Sequence, residues 1–411
     1  MGTTYVERRA WEQVIEALGD TRVVLVNGAR QAGKSTLVRR IGQHTGARWY
    51  SLDDAVTRRA AASDPHSFVR LDSLMIIDEV QRDPELLLSM KSLVDEHPTP
   101  GRFLLTGSAR LLGLRSLPDT LVGRMEIIEL WPLSQGEIDG VRENFVDDVF
   151  NQGPDIFHES PLTRDDYIAR VIRGGFPDAI HREHRRRTAY LTNYVSDLIN
   201  RDVTQLSAIE RGPQLRALVQ AVAARSSQPL SVSRVASDVG LTSVTTERYL
   251  SLLEEVFLMK RIPAWTRRIS GRSVGQAKVA MVDSGIASAL LRQTASRLRQ
   301  PGGPLGGLLE GFVAMEIARQ IPWSTDRPGL SHYRTKDGVE VDLVLEDGMG
   351  RVVALEVKAS STAHDRDFAG LRHLEQRLGN DLVAGLLLYT GHHTLPFGPK
   401  FRAVPISTLW T

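Results

Sequence analysis

The stretch Gly28-Ala29-Arg30-Gln31-Ala32-Gly33-Lys34-Ser35 limits what this chain can fold into more than any other part of it. It follows the β-branched run Arg22-Val23-Val24-Leu25-Val26 and leads into a helix-like segment beginning Lys34-Ser35-Thr36-Leu37. GxxxxGK[ST] between a strand and a helix is a phosphate-cradling loop. Its glycines let the backbone turn N–H groups toward phosphate oxygens, and the helix N-terminus adds a positive dipole. Lys34 is the expected partner of the β and γ phosphates, and the Ser35 hydroxyl the expected ligand of Mg²⁺. The backbone from Gly28 through Thr36 supplies the remaining contacts to ATP. The alternative is a glycine-rich turn without function, and the flanking strand and helix weigh against it.

A second apolar run, Leu74-Met75-Ile76-Ile77, ends in Asp78-Glu79. Ligands of α/β sheets collect at the carboxyl ends of strands, so two carboxylates there are expected beside the phosphates. Asp78 is assigned to Mg²⁺ and Glu79 to the attacking water as general base. A third run, Arg102-Phe103-Leu104-Leu105, ends in Thr106-Gly107-Ser108. Thr106 or Ser108 is a candidate γ-phosphate sensor, with an ordinary strand-ending turn as the alternative. Arg124 precedes the segment Met125 to Leu130, which closes in Trp131-Pro132-Leu133-Ser134. This placement looks like the arginine-finger position of clamp-loader and related AAA+ ATPases, which implies assembly into a homo-oligomer; an ordinary surface arginine is the alternative.

Several segments agree in order with a known family: Tyr5 to Arg8, Gly28 to Leu37, Ser51 to Asp54, Asp64-Pro65, Ile76 to Leu87 and Leu105 to Leu112. On these residues 1–135 resemble the AAA-type ATPase domain that occurs with a domain of unknown function, number 4143, in many bacterial and archaeal proteins. The resemblance implies ATP binding and ATP hydrolysis. Gly174-Gly175-Phe176-Pro177 and the segment from Tyr194 to Asp202 match the same family. Arg201 is either a second nucleotide-sensing arginine or half of a structural Arg-Asp pair.

A length of 411 residues exceeds one module. The expected fold class is α/β in four parts: a P-loop AAA-type ATPase domain over 1–140, a helical connector or lid over 141–205, a winged helix-turn-helix over 206–270 and a nuclease-like α/β domain over 271–411. Residues 140–165 are polar and weakly periodic, as in a boundary or a mobile insert. The cluster His181-Arg182-Glu183-His184-Arg185-Arg186-Arg187 is either a solvated helix face or a phosphate contact. From 211 to 265 the periodicity gives three short helices and a strand, and Gly240 ends the second helix. The third helix is the expected reader, with Ser243, Thr245, Thr246 and Arg248 exposed early in it. Between Met259 and Lys278 stand Lys260, Arg261, Arg267, Arg268, Arg272 and Lys278 with no acidic residue, and Trp265 lies among them. A basic hairpin in the wing position is a candidate DNA contact. A lid or a protein-docking module is the alternative.

The C-terminal part offers a second candidate site. A helix from Leu308 to Ala318 precedes two strand-like runs, Val339 to Leu345 and Val352 to Lys358, joined by Glu346-Asp347-Gly348-Met349-Gly350. Period 2 puts Glu356 and Lys358 on one strand face, with Asp342 on the partner strand. The arrangement resembles the PD-(D/E)xK nuclease superfamily, in which acidic residues hold Mg²⁺ and the lysine orients water. The resemblance transfers metal binding to Asp342, Glu356 and Glu310, with Glu316 as the alternative to Glu310, and a catalytic role to Asp342, Glu356 and Lys358. Val341 stands where the family has proline. Active nuclease chemistry, an inactive nuclease-like fold and a chance match all remain open at this level.

The complete absence of cysteine excludes disulfides, cysteine-ligated metals and cysteine nucleophiles. The charged N-terminus and the lack of an apolar span point to a cytoplasmic protein without a membrane segment. Two functions fit. One is an ATPase whose cycle controls DNA binding or processing by its C-terminal half. The other is a nucleotide-dependent switch, of signalling or toxin-antitoxin type, that acts on a protein partner with little turnover.

Overall fold

The structure is a computed structural model that describes residues 5–71, 73–107, 121–200, 212–267 and 275–411. The chain divides into two compact units, one of residues 1–133 with 255–257 and the other of 134–254 with 258–411. The protein is α/β, with a separate sheet in each unit.

Short strands build the first unit. Val23–Gly28 (β1), Arg48–Ser51 (β2), Met75–Asp78 (β3), Phe103–Gly107 (β4) and Met125–Leu130 (β5) form a parallel sheet in the order β2-β3-β4-β1-β5. Its central strands are buried throughout because helices cover both faces. Alternation along β1 sends Val23 and Leu25 into one apolar core and Val24 and Val26 into the other. Helix Lys34–Thr45 contributes Leu37, Val38 and Ile41, an apolar stripe at helical spacing, to the second of these cores. Strand order matters for the site. With β4 between β1 and β3, the ends that carry the phosphate loop and Asp78-Glu79 flank Thr106.

In the second unit, helices Gly212–Ala224, Val232–Val239 and Ser243–Glu255 lead to an antiparallel pair, Met259–Ile262 (β6) and Lys278–Met281 (β7). An isolated antiparallel bridge joins Pro229 to Lys278. The hairpin straddles the boundary expected at 270. Gly329–Arg334 (β8), Glu340–Glu346 (β9), Val352–Lys358 (β10), Leu382–Tyr389 (β11), Leu395–Pro396 (β12) and Phe401–Pro405 (β13) make a mixed sheet ordered β12-β13-β11-β10-β9-β8. Helix Leu305–Gln320 is buried on nearly every side, consistent with its apolar composition.

The segment 140–165, expected as a boundary or mobile insert, is built into this second unit. His158 N–H donates to Thr394 Oγ1 at 2.9 Å and Ser160 N–H to the His392 carbonyl at 2.8 Å. Helix Phe145–Gln152 buries Phe145, Val146, Val149 and Phe150. Eight residues are too few for that stripe to stand out among polar neighbours. Among the described residues no helix is long and apolar enough to cross a membrane.

Candidate functional site

The phosphate loop leaves β1 at Gly28, where a Cβ would collide with the Leu130 carbonyl of β5, so only glycine fits. Gln31 and Gly33 adopt positive φ, 58° and 98°, and turn the chain into the helix that opens at Lys34. The Lys34 ammonium, 4% exposed, donates to the carbonyls of Gly28 at 3.0 Å and Ala29 at 2.8 Å. It lies curled within its own loop. Arg8 braces the loop by donating to the carbonyls of Ala32 at 2.6 Å and Trp131 at 2.7 Å. Sequence reasoning gave Arg8 no role, although it closes the Tyr5 to Arg8 segment already noted for the resemblance.

Asp78, at the end of β3, accepts from the Ser35 hydroxyl at 2.8 Å and from Thr106 Oγ1 at 2.5 Å. Thr106, fully buried, accepts in turn from the Glu79 N–H at 3.0 Å. The Thr106 hydroxyl is thus engaged by both acidic residues and acts as their positioning group. Glu79 sits at φ 60°, a left-handed conformation that costs a non-glycine residue about 1–3 kcal/mol. Gln81 Nε2 donates to its carboxylate. Arg124 is partly exposed and already paired. Its guanidinium forms a two-point ion pair with Asp95, with Nη2 donating at 3.0 Å, and Nη1 donates to the Val122 carbonyl at 3.0 Å. Thr36 is exposed at the loop. Ser108 and Arg201 lie outside the described residues.

In the second unit, Arg248 and Val244 are exposed on the third helix, Val244 at 82%. Thr246, expected to be exposed, is fully buried, because a helix that packs on its neighbours turns one residue in each turn inward. Thr245 accepts a hydrogen bond from Thr242 Oγ1 at 2.9 Å. The basic stretch is largely answered by acids. Arg261 pairs with Glu247 at 2.8 Å and Glu254 at 3.9 Å, and Arg267 with Asp381 at 2.5 Å. Lys260 is half-buried on β6. Trp265 is buried in the core of the C-terminal sheet, and its Nε1 donates to Glu346 at 3.0 Å. Arg268 and Arg272 lie outside the described residues. In the 181–187 cluster, Arg187 donates to the carbonyls of Ala179 at 3.1 Å and Arg182 at 2.6 Å, a structural use.

The C-terminal pocket does bring together Glu310, Asp342, Glu356 and Lys358, and it adds two residues that sequence reasoning did not assign to it. Lys278 of β7, 1% exposed, reaches Glu310 at 2.7 Å, Glu340 at 2.8 Å and Asp342 at 3.3 Å. In the sequence Lys278 closes an acid-free stretch that reads as a DNA-facing wing; in the fold every residue of its strand is buried. Asp342 Oδ2 accepts from the Val357 N–H at 3.0 Å. Lys358 Nζ stands 3.5 Å from Glu356 Oε2. Burial pushes the Glu356 carboxyl up to about 9, with Asp342 adding to the rise. It pushes Glu310 up to about 8, against the pull of Lys278. Burial works to lower the Lys278 ammonium, but Glu310 and Asp342 raise it on balance. Glu316 lies elsewhere, bonded to Arg319 and to the Gln135 N–H at 2.8 Å, whereas Glu310 faces the Lys278 ammonium beside Asp342.

A parallel sheet with β4 between the phosphate-loop strand and the acidic strand, together with Lys34, Ser35, Asp78 and Thr106, defines a P-loop ATPase fold of the AAA type. Residues 20–139 match the AAA domain family, 164–297 a domain of unknown function numbered 8612, and 305–409 the domain of unknown function 4143. An uncharacterised protein of Mycobacterium tuberculosis is 28% identical over 99% of this chain and 85% of its own length. One from Haemophilus influenzae is 22% identical over 69% of this chain and 65% of its own. Among solved structures, the Walker-type ATPase of Pyrococcus abyssi matches 70% of this chain and 96% of its own at 13% identity and TM-score 0.44. AMPPCP-bound DnaA of Aquifex aeolicus matches 61% and 88% at 14% identity and TM-score 0.31.

Proposed function

We propose that the first unit binds ATP with Mg²⁺ and hydrolyses it, and that this cycle governs what the second unit engages in the cytoplasm. The observation that carries the proposal is the contact between Ser35 Oγ and Asp78 Oδ1 at 2.8 Å. A hydroxyl and a carboxylate side by side at the foot of a phosphate loop are the hard oxygen donors that suit Mg²⁺, and Ser35 and Asp78 are the residues that would hold it. When bound, the ion neutralises charge on the β and γ phosphates. Lys34 exchanges its two backbone carbonyls for phosphate oxygens. Glu79 accepts the proton of the attacking water, and Thr106 keeps Glu79 and Asp78 aligned through the Glu79 N–H and the Asp78 carboxylate. Lys34→Ala should lower Mg²⁺-dependent ATP turnover by roughly 100-fold or more. Unchanged turnover in that variant contradicts the assignment.

Arg124 completes the site in a homo-oligomer only if it exchanges Asp95 for the γ phosphate of a neighbouring subunit. For the second unit, duplex DNA is the proposed partner, contacted by Thr245, Arg248, Lys260, Arg261 and Arg267, with Arg268 and Arg272. The support is the cluster of basic residues on a winged-helix arrangement. A nucleotide switch acting on a protein partner is favoured by different observations: Arg261 and Arg267 are already ion-paired, and Val244 is 82% exposed on the third helix. DNA affinity that falls steeply with salt supports the first reading. Failure to retain DNA at low salt supports the second.

A further inference from the structure

The resemblance to PD-(D/E)xK nucleases implies a divalent ion held by Glu310, Asp342 and Glu356, and the donors of this chain do not fit one. The point where carboxylates of helix Leu305–Gln320 and β9 converge is taken by the Lys278 ammonium, within 2.7 Å of Glu310, 2.8 Å of Glu340 and 3.3 Å of Asp342. Glu310 and Asp342 accept its hydrogen bonds, and Glu340 completes the surrounding negative charge at ion-pair distance. The other Asp342 oxygen is turned to the Val357 N–H at 3.0 Å. Glu356 faces Lys358 across 3.5 Å. Mg²⁺ would need Glu310 Oε1 and Asp342 Oδ1 as ligands at about 2.0–2.1 Å, and both oxygens are already engaged by the Lys278 ammonium. Among the described residues no group of three or more His, Asp or Glu side chains is arranged to hold a metal ion.

We propose that Lys278 is the resident cation of this pocket and that the nuclease-like sheet holds no divalent ion. Lys278 belongs to β7, paired with Ile262 of β6 and bridged to Pro229, so its ammonium fastens the wing hairpin to helix Leu305–Gln320 and to β9. The two partners are joined a second time at Trp265, whose N–H donates to the His332 carbonyl of β8 at 2.6 Å. The residues that give a nuclease its metal site here make an ionic joint between the winged helix and the sheet. Lysine suits that role because it is a compact point charge with three donors.

The test is Mn²⁺ retention by the full chain carrying Asp78→Asn, a background in which the phosphate site lacks its carboxylate ligand. This protein should retain no Mn²⁺ in equilibrium dialysis. Adding Lys278→Ala should create a site that Asp342→Asn then abolishes. Retention of one ion per chain by the Asp78→Asn protein, lost on adding Asp342→Asn, overturns the proposal. So does Asp342-dependent nicking of plasmid DNA by the natural sequence in Mn²⁺. A second measurement needs no variant at Lys278. Acetylation by an N-hydroxysuccinimide ester, read by peptide mass spectrometry, should modify exposed Lys336 and spare Lys278, with or without millimolar Mn²⁺. Lys278 that becomes reactive when Mn²⁺ is added has been displaced by the ion, and the proposal fails.

Discussion

Two buried lysines, one in each unit, meet their surroundings in opposite ways. Lys34 is held by two peptide carbonyls, at 3.0 and 2.8 Å, while the nearby carboxylate of Asp78 is engaged by hydroxyls. Lys278 is bound directly to three carboxylates. A neutral carbonyl is readily exchanged for a charged phosphate oxygen, because a hydrogen bond to an ionised acceptor is roughly twice as strong as a neutral one. A carboxylate cage offers a newcomer no such advantage. On the reading proposed above, lysine beside acidic residues serves a reactive site in the first unit and an ionic joint in the second.

The comparison can be broken in three places. The largest effect is expected from Glu79→Gln, which keeps the shape of the phosphate site and removes the base. ATP turnover should fall by roughly 10²- to 10⁴-fold while ATP binding persists. A steady-state rate equal to that of the natural sequence removes Glu79 from the mechanism. Next is Lys278→Met, which leaves carboxylates buried without a cation and should lower unfolding stability of the second unit by about 3–5 kcal/mol in urea titration. A change below about 1 kcal/mol would mean that the lysine is an ordinary surface ion pair.

The smallest effect concerns Glu356, whose carboxyl is pushed up from 4.5 to about 9. A carboxyl raised in the folded state lends stability that is complete below about 4.5 and is lost as pH rises toward about 9. Glu356→Gln should flatten that part of the stability-pH curve, measured by thermal melts across the window. An unchanged slope shows that Glu356 does not retain its proton.

Much of the first unit is legible in the sequence, because β1, β3 and β4 are short apolar runs and the phosphate loop sits between one of them and a helix. Asp78, Glu79 and Thr106 are readable for the same reason: they stand at strand ends, where chain order predicts position. The second unit is less readable. Lys278 closes a stretch without acidic residues, and its burial comes from a four-residue strand covered on both faces, which no local pattern announces. Trp265 reads as part of a nucleic-acid wing, yet it packs in the core of a sheet whose strands begin more than sixty residues later. Residues 140–165 read as a boundary from their polar composition, yet backbone hydrogen bonds from His158 and Ser160 to Thr394 and His392, distant in sequence, tie them in. Arg8 makes contacts with Ala32 and Trp131 that no local pattern announces. What the sequence hides is contact between remote segments, and above all the sign of the charge that a given charge will meet.

The most direct test of the contrast between the two lysines is a count of Mn²⁺ bound per chain, by electron paramagnetic resonance, with and without a non-hydrolysable ATP analogue. The account predicts a single ion that appears with the nucleotide and is lost in Asp78→Asn. Two ions, the second independent of nucleotide and lost in Asp342→Asn, would contradict it.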